Sequence, residues 1–96
     1  MEYLKKTGMY KVMKNLLPEV KIPLMKNCTY KFYRGSEWLE CYAEDDEKYR
    51  MDRCGDRIEI VGTKTVLNEP TQILRRIYYL NKNGEYIKEY DRKGGK

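Results

Sequence analysis

Apolar positions recur along this chain with two periods, and the change from one to the other divides it into a helical beginning and a long extended remainder. Over residues 7–17, Met9, Val12, Met13, Leu16 and Leu17 follow the i, i+3, i+4, i+7, i+8 spacing of one helix face. Thr7 suits the N-cap, Pro18 stops the helix, and Lys11, Lys14 and Asn15 fall on the outer side. From residue 20 the period becomes two. Val20, Ile22 and Leu24 alternate with polar residues, and Pro23 would confine that strand to a sheet edge.

Residues 28–43 predict a hairpin about a type II′ turn at Gly35-Ser36. Folding there sets Tyr33 against Trp38, Phe32 against Leu39, Lys31 against Glu40 and Tyr30 against Cys41. One face becomes Cys28, Tyr30, Phe32, Leu39, Cys41 and Ala43, and the other carries the aromatic and charge pairs. The acidic run Glu44-Asp45-Asp46-Glu47 follows.

Over 48–60, a four-residue loop at 53–56 would pair Asp52 with Arg57, Met51 with Ile58 and Arg50 with Glu59. A short helix over 45–53 is the alternative, because so short an apolar run fits either period. Gly62 marks a bend, residues 63–67 extend, and Asn68-Glu69-Pro70 form a turn. A final hairpin over 71–91 turns at Asn83-Gly84 and sets Leu80 against Ile87, Ile77 against Tyr90 and Arg76 against Asp91; a bulge at Gly84 would shift that pairing by one. The sum is a single α+β domain over 1–91. One N-terminal helix packs on a curved, mostly antiparallel meander of about six strands, or on a small partly open barrel. A mobile basic tail over 92–96 follows.

Charge is segregated. The net +5 divides into +6 over residues 1–36, −5 over 37–59 and +4 over 60–96, so an acidic segment lies between two basic ones. Histidine is absent, which removes the commonest general base and metal ligand. Three cysteines, Cys28, Cys41 and Cys54, an odd number without a Cys-x-x-Cys pair, point to reduced thiols rather than to zinc or a disulfide framework. No stretch approaches the roughly 20 apolar residues of a membrane span, and the N-terminus lacks a signal-peptide pattern, so the expected compartment is the cytoplasm.

These features predict neither catalytic residues nor a metal, cofactor or small-molecule substrate. A macromolecular partner is the expectation. In the type I′ register the last hairpin presents Arg75 and Tyr79 beside Tyr86, Lys88, Tyr90 and Arg92, with rings to stack on bases and cations to meet phosphates. Tyr33 and Trp38 form a second aromatic candidate of the composition found in binding hot spots. The first expectation is therefore a small non-enzymatic protein acting on nucleic acid or a nucleoprotein, similar in size and composition to inhibitors made by phages and mobile elements. The alternatives are a protein–protein module or homodimer using the aromatic sheet face, and a histidine-free ribonuclease resembling the basic α+β toxins of bacterial toxin–antitoxin pairs.

Overall fold

The computed structural model describes residues 2–44 and 46–94. Helix α1 (Glu2–Leu16) leads through a loop and a single 3₁₀ turn (Met25–Asn27) into six strands. They are β1 (Cys28–Tyr33), β2 (Ser36–Tyr42), β3 (Glu47–Cys54), β4 (Arg57–Val66), β5 (Glu69–Leu80) and β6 (Tyr86–Lys93). All neighbours pair antiparallel in the order β1-β2-β3-β4-β5-β6, an open meander that does not close into a barrel.

The apolar stripe of α1 makes the core. Met9, Met13 and Leu17 are buried against Leu39, Cys41, Met51, Ile58, Ile60 and Leu74 on one face of the sheet. The helix starts five residues earlier than its apolar period predicts. Thr7 is not a cap but an interior residue whose hydroxyl meets the Met25 sulfur at 3.3 Å, and Lys5 stands 4.0 Å above the Phe32 ring. The expected strand over 20–25 is irregular chain returning from the helix to β1. Of its three alternating apolar residues only Ile22 is buried, and its backbone carbonyl accepts the Tyr10 hydroxyl.

Two hairpin registers differ from the expected ones by the same amount. The first turn is Arg34-Gly35, with φ of 48° and 79°, the double left-handed pattern of a type I′ turn. It pairs Tyr33 with Ser36, Tyr30 with Leu39 and Cys28 with Cys41. The third hairpin turns at Gly55 (φ 62°) with Asp56, pairing Cys54 with Arg57 and Met51 with Ile60. Moving a turn by one residue slides the pairing by two, so every side chain keeps its face while its cross-strand partner changes. Asp52 therefore sits opposite Glu59 rather than Arg57.

The cysteines are corrected by the same slide. Cys28 now lies directly opposite Cys41 at a position without mutual backbone bonds, where side chains approach closest, and the two form a disulfide. Cys54 is free and exposed.

Gly62 is buried because the Tyr49 ring lies over it. A Cβ there would fall 2.5 Å from Tyr49 Cε1 and 3.3 Å from the Leu74 Cβ. Just beyond, Ile73 is an extra residue in β5 that bends the arm of β4 and β5 away. The tip turn is Leu67-Asn68 rather than Asn68-Glu69-Pro70, and Pro70 is paired with Thr65 one step from it. Arg92 and Lys93, expected in a tail, complete β6, and the Gly94 N–H bonds the Ile73 carbonyl; residues 95–96 lie outside the described residues.

One cation fastens these layers. Arg76 on β5 is 4 % exposed, on the helix side of the sheet. It donates to the Leu16 carbonyl at the end of α1 (3.2 Å), to Asp91 on β6 (2.9 Å) and to Glu19 in the loop after the helix. The Tyr78 hydroxyl donates to the same Leu16 carbonyl at 3.1 Å. Burial disfavours the charge of Arg76, but the bonds to Glu19 and Asp91 outweigh it and push its pKa up. Burial likewise acts to raise Glu19 and Asp91, and the guanidinium nevertheless holds both carboxyls below their ordinary values.

Two outcomes are expected. Gly62→Ala should cost about 1–3 kcal/mol in urea denaturation, because neither the Tyr49 ring nor β5 has room to give way. Arg76→Met should cost about 2–4 kcal/mol, less than the loss of a fully buried pair because both carboxylates are partly solvated. The depressed carboxyls contribute stability that is complete above their ordinary pKa and is lost as pH falls through the lowered values. The wild type should therefore weaken below about pH 4, and Arg76→Met should flatten that acid limb. Equal acid limbs in the two proteins would show that the pairs contribute nothing.

Candidate functional site

A strand places alternate side chains on opposite faces, and α1 covers only one face of this sheet. Among the described residues nothing packs over the other, where every strand contributes. One cross-strand row reads Lys31, Trp38, Asp52, Glu59, Ile77 and Tyr90; the next toward the β1–β2 turn reads Tyr33, Ser36, Cys54, Arg57, Tyr79 and Ile87. On the other side lie Thr29, Glu40, Arg50, Val61, Arg75 and Arg92.

Rings and cations are interleaved across this face. Lys31 is opposite Trp38, with its ammonium 5.3 Å from the ring centroid. Arg57 is opposite Tyr79. The Arg75 guanidinium lies 5.6 Å from the Tyr90 centroid while donating to Glu59 at 2.7 Å, a bond that raises its pKa. Tyr33, Tyr79, Ile87 and Tyr90 are all exposed, and Trp38 is half-buried.

The carboxylates are matched locally. Glu40 pairs with Lys48 at 3.4 Å, Asp52 with Arg50 at 3.0 Å and Glu59 with Arg75. Partial burial, with Glu59 and Glu40 nearby, raises the Asp52 pKa despite Arg50.

Of the residues singled out from sequence, Tyr33, Trp38, Arg75, Tyr79, Tyr90 and Arg92 share this face. Tyr86 and Lys88 do not. Glu89 is an extra residue between Ile77/Tyr90 and Tyr78/Lys88, and it shifts the end of the hairpin by one. That shift turns Tyr86 and Lys88 toward the helix side and Ile87 outward. The loop at its end spans 81–85, with the Asn81 side-chain oxygen accepting the Asn83 and Glu85 N–H groups at 2.9 Å each.

Lys31 and Arg57 were missed as site residues. Alternation already puts Lys31 and Arg57 on this face, whereas the pairing of Arg57 with Tyr79 depends on the register of β4 against β5.

Elsewhere Glu44 and Glu47 of the acidic run are engaged. Glu44 pairs with Lys21 at 3.6 Å, and Glu47 accepts the Tyr49 hydroxyl at 2.9 Å. Burial and that bond push the Tyr49 pKa up. On the helix side, two clefts flank Glu19 and Lys93. One, of about 370 Å³, lies toward Ala43 and Ile73; the other, of about 490 Å³, lies toward Asn15 and Lys88. No helix among the described residues is long and apolar enough to cross a membrane. Compared with protein-family models, curated proteins and solved structures, the chain matches none.

Proposed function

We propose that the chain is a non-enzymatic binding protein whose uncovered sheet face takes a single-stranded nucleic acid, free or within a nucleoprotein. The observation that carries this reading is the repeated ring-and-cation pair on one face: Lys31 with Trp38, Arg57 with Tyr79 and Arg75 with Tyr90. Bases stack on exposed rings irrespective of sequence, and a cation beside each ring meets the phosphate that follows. Six basic residues, Lys31, Lys48, Arg50, Arg57, Arg75 and Arg92, share the face with Glu40, Asp52 and Glu59, and the acids are already matched to neighbours. The field over the face is therefore positive.

A cytoplasmic site of action belongs to this reading. It requires the fold to stand with Cys28 and Cys41 reduced, since the cytosol keeps thiols reduced.

A protein partner is the second reading, favoured by the Asp52–Glu59 neighbours at the middle of the face. Juxtaposed carboxylates suit a mixed-charge protein surface better than a phosphate chain.

Trp38, the single tryptophan, reports on the test. Its fluorescence should quench on titration with a single-stranded oligonucleotide of about 12 nucleotides, with affinity falling as salt rises by a log–log slope of about 0.7 per phosphate contact. Arg57→Glu with Arg75→Glu should weaken binding about tenfold or more and flatten the slope. Lys88→Glu, on the opposite face, should leave it within about twofold. Equal losses in both variants would reduce the effect to overall charge. An absence of quenching by DNA and RNA alike would remove the nucleic-acid reading and leave the protein partner.

A further inference from the structure

The pattern of rings and cations does not stop at the rim of the open face. Strand β1 is an edge of the sheet and pairs there only with β2. Near the β1–β2 turn the pattern passes from one side of the sheet to the other. Lys31 and Tyr33 project on the open face. Phe32 between them projects on the helix side, by strand alternation, and is 50 % exposed. The first turns of α1 bring the Lys5 ammonium to 4.0 Å from the Phe32 ring centroid. Arg34, in the turn itself, is exposed.

The Lys5–Phe32 contact therefore repeats, around the edge, the arrangement of Lys31 with Trp38. A ring left half open on an edge strand is a hazard that folding alone does not require. The backbone adds a donor. Counting back from the Tyr33–Ser36 pair that closes the turn, Phe32 and Glu37 lack mutual backbone bonds, so the Phe32 N–H points outward from the edge. The acid at this corner, Glu37, is engaged: it accepts the Tyr30 hydroxyl at 3.2 Å and lies opposite Arg53. Residues 4–18 contain no acid and four lysines, so the positive field of the open face continues around β1 onto α1.

We propose that a single nucleic-acid strand lying across the open face turns over the β1 edge at residues 31–34 and stacks a further base on Phe32, with Lys5 and Arg34 on the flanking phosphates. This rests on the nucleic-acid reading of the open face and extends it to a longer ligand. Trp38 on β2 and Tyr90 on β6 are four strand spacings apart, about 19 Å, room for the shortest site sizes of single-strand binders, about 4 nucleotides. A longer strand leaves the face, and the β1 edge offers it both charge and a ring.

Quenching of Trp38 by oligonucleotides of about 4 and about 12 nucleotides tests the path. Phe32→Ala and Lys5→Glu should each weaken the longer strand about fivefold or more while leaving the shorter within about twofold. Lys5→Glu should also lower the salt slope of the longer strand by about 0.7. Phe32→Tyr keeps the ring and should bind both lengths as the wild type does. Lys11→Glu makes the same charge change farther along α1 and should leave both within about twofold. Lys5→Glu spares the core, so it decides the matter even if Phe32→Ala folds poorly. Unchanged binding of the longer strand by Lys5→Glu overturns the proposal, and so does an equal loss from Lys11→Glu. In either case quenching of the wild type by both lengths leaves the reading of the open face standing. If neither length quenches Trp38, both readings fall.

Discussion

The whole architecture turns on where one buried guanidinium finds its partners. Arg76 stands in the row of β5 that otherwise faces the apolar underside of α1, and a cation there is tolerable only if its bonds are made in the fold. They are made to three separate pieces of chain: the final carbonyl of α1, the loop carboxylate Glu19 and the β6 carboxylate Asp91. The same contact therefore fixes the end of the helix, the direction of the chain leaving it, and the register of an edge strand that shows no buried residue. Without it, β6 would be held to the sheet by its backbone bonds, by the packing of Tyr86 and by exposed contacts such as Tyr90 with Arg75 and Lys93 with Glu19.

That arrangement explains why the molecule has one covered and one uncovered face. A 15-residue helix spans the sheet once, from Phe32 on β1 to Tyr78 on β5, and the loop after it returns to β1. Nothing remains in the described chain to cover the second face. The sequence on that face accordingly mixes charges and aromatic rings around a few aliphatic residues, Val61, Ile77 and Ile87, of which Ile77 is buried between its neighbours.

Turn position and bulge position have unequal consequences. At Arg34-Gly35 and Gly55-Asp56 the turns lie one residue from the expected place, and both strands slide by two, so the core and the open face keep their members. At Glu89 a single extra residue enters one strand, and everything between it and the turn changes sides. Tyr86 and Lys88 leave the candidate site for that reason alone. The disulfide is the other product of a turn shift: faces survived, but Cys28 acquired Cys41 in place of Ala43 as its neighbour.

The one-dimensional pattern was enough for the helix and its stripe, the antiparallel meander and the membership of both faces in β1, β2 and β5, because periods of 3.6 and 2 are properties of the local backbone. It also marked Trp38, Tyr33, Arg75, Tyr79, Tyr90 and Arg92, whose side is set by parity within their own strand. Three things depended on tertiary structure. The first turn of α1 has no apolar period and is read as helix only once Lys5 meets Phe32. The residues at 20–25 alternate like a strand but find no neighbour to pair with, since β1 itself forms the edge. The cross-strand partners, from Cys28 with Cys41 to Arg57 with Tyr79, follow from which residues accept left-handed φ. Arg34 and Leu67 do so against their intrinsic preference, and only the summed pairing energy of whole strands can impose that on a turn.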